Sequence, residues 1–366
     1  MSTKTKIAIA CQGGGSQTAF TAGALKALCE ANLRDRFDVV SISGTSGGAI
    51  CATLVWFAFE RGETNLWGRL MDFWQDNTAQ GWLEQTFNHL IVGSMRMVNS
   101  GMFPTLQLSP YSPMLQTAGA VAMFGHRETF KNFRALLESH VDFGEIASWG
   151  PRKQRPILMI GAANITTGKL TKFISLHQPI RVEHLLASCA VPNIFPAVEI
   201  DGHAYWDGLF SDNPPVQELI RPPSVGAENV PEEIWLIKIN RTASEEVPTR
   251  PDQIVDRRNQ IEGNISLFQQ LRQLELINDM ILQKAFQAEY LAQFAVQAPI
   301  RIPRSFSTDP PKPYHIPCME MPAELQAVLD FESKIDRSRR HIDRLIAEGE
   351  KSAKLFLQQR LAVTGR

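Results

Sequence analysis

The chain has 366 residues, 44% of them hydrophobic and 20% charged, which allows a large core and excludes wholesale disorder. A formal net charge of −1 leaves no basic excess for a nucleic-acid partner. Cys11, Cys29, Cys51, Cys189 and Cys318 are scattered and form no CxxC pair, so neither a zinc site nor a disulfide framework is expected, and a reducing compartment fits. After Lys4 the stretch "KIAIAC" reads as a buried strand, too short for the core of a signal peptide. "QGGGS" reads as a loop and "AFTAGALKALCEANL" as a helix, with Ala24, Leu25 and Leu28 at helical spacing. "FDVVSIS" is a second strand that stops in Gly44-Thr45-Ser46-Gly47-Gly48, and "AICATLVWFAFE" is a second helix. Strand, loop, helix, strand, turn, helix is the pattern of an α/β fold with a parallel sheet flanked by helices.

From Gln85 to Gly125 the only formally charged residue is Arg96, and Met95, Met97, Met102, Met114 and Met123 gather there with Phe103, Pro104, Pro110, Pro113 and several glycines. Two expectations stand side by side: a buried insertion, or an apolar cap that touches lipid through Met102 and Phe103. "RPILMIGAANITTGKLTKF" supplies a further strand, "AVEIDGHAYWDGLFSDNPP" a hairpin and "EIWLIKIN" another strand. A helical pattern runs from about Ile254 to Phe294, with Ile261, Ile265, Leu267, Phe268, Leu271, Leu274 and Ile277 as its apolar repeat. "YHIPCMEM" is read as a last strand, and the mixed-charge tail as two solvated helical pieces. The expected division is 1–220 as the catalytic core, including the 85–125 insertion, and 221–366 as completion of the α/β layer with a C-terminal helical extension. No run reaches the 18 or so apolar residues of a membrane span, so a cytoplasmic protein is expected, with peripheral contact to lipid surfaces.

Gly44 to Gly48 satisfies G-x-S-x-G between a strand and a helix, the context in which that pattern carries chemistry. Glycines let two backbone segments come close, Ser46 is lifted above the sheet edge, and the helix opening at Gly47 aims its free N–H groups at the same point. The plain alternative is a serine N-cap. Gly13, Gly14 and Gly15 offer consecutive N–H groups that can line an anion-binding nest. A dinucleotide loop is the competing reading, but Thr18 stands where its last glycine belongs. The base is less evident: His315 and His341 follow any candidate acid, yet both read as structural, and Asp207-Gly208 alone reads as a turn.

Together these residues resemble the patatin-like phospholipase family across roughly residues 6 to 216. The resemblance rests on the Gly13–Gly15 loop, the serine pentapeptide, "ASCAVPNIFP", and Asp207-Gly208 followed by Asn213-Pro214. It implies a mostly parallel sheet and hydrolysis of lipid acyl esters by a Ser–Asp dyad without cofactor or metal. Ser46 is then the nucleophile and Asp207 the base. The Gly13, Gly14 and Gly15 amides with the Gly47 N–H form the oxyanion hole, and Gly44, Gly48 and Gly208 support the motifs. The family loop reads GGG-x-R-G, whereas Gln17 and Thr18 occupy its Arg and Gly positions here, which removes a fixed positive charge. For the dyad to work near neutral pH, partial burial must raise the Asp207 pKa, and a short hydrogen bond to Ser46 must set the geometry. The alternatives are a Ser-His-Asp esterase using His315, or a catalytically silent lipid- or granule-binding module on the same fold.

Overall fold

Ile7, Ile9 and Cys11 enter one apolar layer, while Ala8 and Ala10 between them enter the other. A strand covered on both faces needs no polar alternation, which is why "KIAIAC" is apolar throughout. The structure is a computed structural model and describes residues 4–103, 109–192, 194–244, 246–293, 296–304 and 310–364. Its strands are β1 (Thr5–Cys11), β2 (Phe37–Thr45), β3 (Ile157–Asn164), β4 (Lys169–Ile174), β5 (Val198–Ile200), β6 (His203–Asp207), β7 (Glu233–Lys238), β8 (Ile302–Pro303), β9 (His315–Ile316) and β10 (Met319–Glu320). The main sheet follows the order β10-β7-β1-β2-β3-β6-β5, with β4 also paired to β3. From β10 to β3 every pairing is parallel, whereas β4 and β6 run antiparallel to β3, and β5 to β6. The expected mostly parallel sheet flanked by helices is therefore what forms.

β3 organises the site. Its Gly161 pairs with Thr45 of β2 and its Ala162 with Asp207 of β6. β4 takes the opposite edge along Met159–Asn164, so β2 and β6 share one edge of β3 and meet end to end between Gly161 and Ala162. One layer of helices covers the sheet with Ala19–Glu30, Gly47–Glu60 and Arg339–Thr364. The other is built around Pro251–Leu282 through Leu267, Leu271 and Leu274.

Several expectations need correction. "RPILMIGAANITTGKLTKF" is a hairpin of two strands, β3 and β4. "YHIPCMEM" divides between β9, which pairs with β8 in a separate two-stranded sheet, and β10 at the edge of the main sheet. The long helix stops at Leu282, a short helix spans Ala288–Gln293, and Phe294 lies outside the described residues. Ile261 and Ile265 are exposed, and the buried stripe instead includes Asn264, Gln270 and Asn278. These polar side chains are inside because they satisfy loop backbone: Gln270 accepts from the Val216 and Gln217 N–H groups, and Asn278 exchanges two hydrogen bonds with Ile300. The tail does form two helical pieces, a 3₁₀ turn at Glu332–Lys334 and the helix Arg339–Thr364, but it is not simply solvated: the helix puts Ile342, Leu345 and Phe356 into the core. Its buried Arg360 pairs with Glu233 of β7.

The 85–125 region is exposed rather than buried. It holds the end of the helix Gly81–Asn99 and the helix Pro113–Ala122, while Pro104 lies outside the described residues. Leu90, Met97, Met102, Phe103, Tyr111, Val121 and Phe124 all face solvent, while Asn88 and Val92 are buried. Arg96, its one formal charge, is turned onto Asp330 at 2.7 Å. Among the described residues no helix is long and apolar enough to cross a membrane.

Candidate active site

Strand β2 ends at Thr45, and Ser46 takes φ 54° and ψ −131° before the helix Gly47–Glu60 begins. Positive φ is strained for a residue with a side chain, and the surroundings hold it there. A Cβ on Gly44 would lie 2.5 Å from the Gly48 carbonyl oxygen, and one on Gly48 would lie 2.3 Å from that of Cys11, so neither position admits a side chain. Two further bonds fix the bend. The Ser46 N–H donates to Ser188 Oγ at 2.8 Å, and that hydroxyl donates to the Gly161 carbonyl at 2.7 Å.

Asp207 closes β6 and is almost fully buried, with one oxygen taking the Leu209 N–H at 2.7 Å. Gly208, beside it, rests against the Gly161 carbonyl and the Thr45 methyl group. Burial pushes the Asp207 carboxyl up to about 7, although the Leu209 N–H, the Ser46 hydroxyl and the Lys334 ammonium each pull it down. The expected desolvation is present. The Ser46 hydroxyl lies within hydrogen-bonding reach of this carboxylate and favours its ionised form. Cys189 also touches Ser46, and burial raises its thiol well above the ordinary value, so it stays protonated.

The glycine loop is partly as expected. Gly13 lies against the elbow, since a Cβ there would be 2.9 Å from that of Ser46. Its N–H, however, donates to Asn213 Oδ1 at 2.6 Å and is not open to an oxyanion. The N–H groups of Gly14, Gly15 and Gly47 have no acceptor among the described residues. Gly47 packs against Thr18 Oγ1, and that hydroxyl donates to the Gly15 carbonyl at 2.6 Å. Gln17 does not face the site as a charged residue would: it is buried, and its amide donates to Ser333 Oγ at 2.7 Å and the Asp330 carbonyl at 3.2 Å.

His315 stands elsewhere, on β9, with its ring nitrogens taken by the Lys312 N–H and the Glu275 carboxylate, each at 3.1 Å. His341 contacts the Ser333 carbonyl at 3.0 Å, and among the described residues no histidine touches Ser46 or Asp207. Sequence reasoning noted Asn213 and the Ser188 stretch only as motif residues, and missed Gln12; the support that each gives to the elbow or loop was not foreseen. Gln12 is fully buried, accepts from the Ile239 and Asn240 N–H groups, and donates to the Gly263 carbonyl. A polar residue closing an apolar strand is its only local signal.

This chain belongs to the patatin-like phospholipase family, whose model matches residues 9–220. Membership supports lipid acyl hydrolase activity. No curated protein matches the sequence. Among solved structures the chain is similar to VipD from Legionella pneumophila at 14% identity and a TM-score of 0.36, covering 94% of this chain and 67% of that one. It is also similar to the ExoU–SpcU complex of the Pseudomonas aeruginosa type III secretion system, at 18% identity and a TM-score of 0.27, covering 81% of this chain and 57% of that one.

Proposed function

We propose that the protein is a serine acyl hydrolase that cleaves carboxylic esters of lipids through a Ser46–Asp207 dyad. The observation that carries this reading is the pairing of a strained elbow serine with a buried carboxylate whose pKa is pushed up to about 7. Asp207 takes the Ser46 proton as Oγ attacks the ester carbonyl. The oxyanion is met by the Gly14, Gly15 and Gly47 N–H groups, while Gly13 shapes the loop. Collapse expels the alcohol, which takes the proton back from Asp207. A water then gives its proton to Asp207 and attacks the acyl-serine, and collapse releases the fatty acid as Ser46 Oγ takes that proton back from Asp207. Residues 1–220 supply these parts, and 221–366 complete the sheet and the helical layers around them.

The lipid surface is met by the exposed insertion. Met102 and Phe103 are 72% and 53% exposed, and Arg96, the one formal charge of the segment, is paired with Asp330, which suits an apolar interface. The test is a lipid-panel release assay paired with fluorophosphonate labelling. Fatty-acid release and labelling by wild type, both absent from Ser46→Ala, support the enzyme. Vesicle binding without release or labelling would leave the silent module in its place.

A further inference from the structure

The glycine loop leans on a turn from the far end of the chain. Gly15 has φ +56°, and a Cβ there would lie 2.2 Å from the Lys334 carbonyl oxygen, so loop and turn touch main chain to main chain. The Gln17 amide fastens the same turn through Ser333 and Asp330. The turn is fixed in its own right, since the Phe331 N–H donates to Asp256 at 2.6 Å and the Ser333 N–H to Asp330 at 2.8 Å. The Lys334 ammonium donates to Oδ1 of Asn240 at 2.9 Å and to Oδ1 of Asn259. Both acceptors are neutral, and among the described residues no carboxylate forms an ion pair with it. A cation held by neutral amides keeps a field that a salt bridge would cancel.

We propose that Lys334 is a positioning residue for hydrolysis: its main chain seats Gly15 in the oxyanion loop, and its ammonium, held by the neutral amides of Asn240 and Asn259, supplies positive charge behind that loop to the Ser46–Asp207 pair. The inference rests on the Ser46–Asp207 reading, and Lys334 lies outside the residues 9–220 that the family model matches. The charged groups around the ammonium are few. Asp256 from the long helix acts on it most strongly and Asp207 next, Arg241 and Asp330 line the same small cavity, and Glu332 and Asp330 act on Asp256. Burial pulls the ammonium down to about 8, so it is charged at neutral pH and discharged in more alkaline solution. It supplies positive charge behind the glycine loop, where Gln17 replaces the family's arginine.

The experiment measures kcat/KM against pH for a soluble p-nitrophenyl ester, using the full chain as wild type, Lys334→Met, Lys334→Arg and Asn259→Asp. In Lys334→Met the acid limb moves up by about one pH unit, a loss of roughly five-fold at pH 7. The two profiles converge above about pH 9, where the wild-type ammonium has itself discharged. Lys334→Arg restores the limb. Asn259→Asp gives the ammonium a carboxylate partner and moves the limb the same way, which covers the case in which Lys334→Met does not fold. An unmoved limb in Asn259→Asp, or equal loss at every pH in the Met and Arg variants, overturns the inference while the dyad stands. A wild type that neither hydrolyses esters nor labels with fluorophosphonate overturns both.

Discussion

The Gly13 N–H donates to Oδ1 of Asn213 at 2.6 Å, which ties the loop beside Ser46 to the segment that follows Asp207. Removing that acceptor leaves a buried donor without a partner and lets the loop drift. Asn213→Ala should lose about 1–3 kcal/mol of stability. It should also lower kcat about ten-fold with little change in KM, because oxyanion contacts strengthen in the transition state. Denaturant melts and ester kinetics on one preparation check both, and a rise in KM alone would place Asn213 in substrate binding instead.

In the proposed dyad, Asp207 sets the pH dependence. With its pKa pushed up to about 7, it is the ionised form above that value that can take the Ser46 proton, so kcat/KM should rise through pH 7 and level off. Asp207→Asn should lower kcat by about 10²–10⁴. Stability follows the opposite course. The folded state holds a proton that the unfolded chain releases near pH 4, so wild-type stability falls as pH rises from about 4 to 7. Asp207→Asn removes this penalty, and its melting temperature relative to wild type should climb between pH 4 and pH 8. Parallel melting curves across that range would show that the carboxyl is not buried.

Met102 and Phe103 separate interface from chemistry. Replacing both with Asp should reduce fatty-acid release from vesicles by roughly ten-fold or more, since each buried apolar side chain is worth about 1.5–3 kcal/mol. Hydrolysis of a short soluble ester should be unchanged. Equal loss on both substrates would assign the pair to packing.

Arg360 tests whether the last helix belongs to the fold. Its Nε donates to Glu233 at 2.8 Å, and Arg301 and the Trp235 indole share the same carboxylate, each at 2.9 Å. Arg360→Met strips one cation from a buried carboxylate and should cost about 3–5 kcal/mol, less whatever Arg301 retains. A melting temperature within a degree of wild type would mean that the Arg360–Glu233 pair adds nothing net to stability and that the helix is held by its apolar face.

The elbow was legible because its requirement is steric and local: where Gly44 meets Gly48 and Gly48 meets Cys11, only hydrogen fits. The hairpin ending in Asp207 was legible from its turn and apolar alternation. Other features depend on partners distant in sequence. Nothing near Gly13 shows that its N–H is committed to Asn213, 200 residues away. Hydropathy put Ile261 and Ile265 in the apolar repeat and took no notice of Gln270, because it does not count the loop N–H groups that Gln270 satisfies. Exposure of the insertion was equally hidden, since an apolar run reads the same whether protein or lipid covers it.

The meeting of β2 and β6 along one edge of β3 has a consequence for the nascent chain. A ribosome-bound fragment ending before Ile157 contains Ser46 but not the strand that aligns it with Asp207, which arrives only with β6. Under the proposed dyad, hydrolytic capacity should therefore switch on late in synthesis.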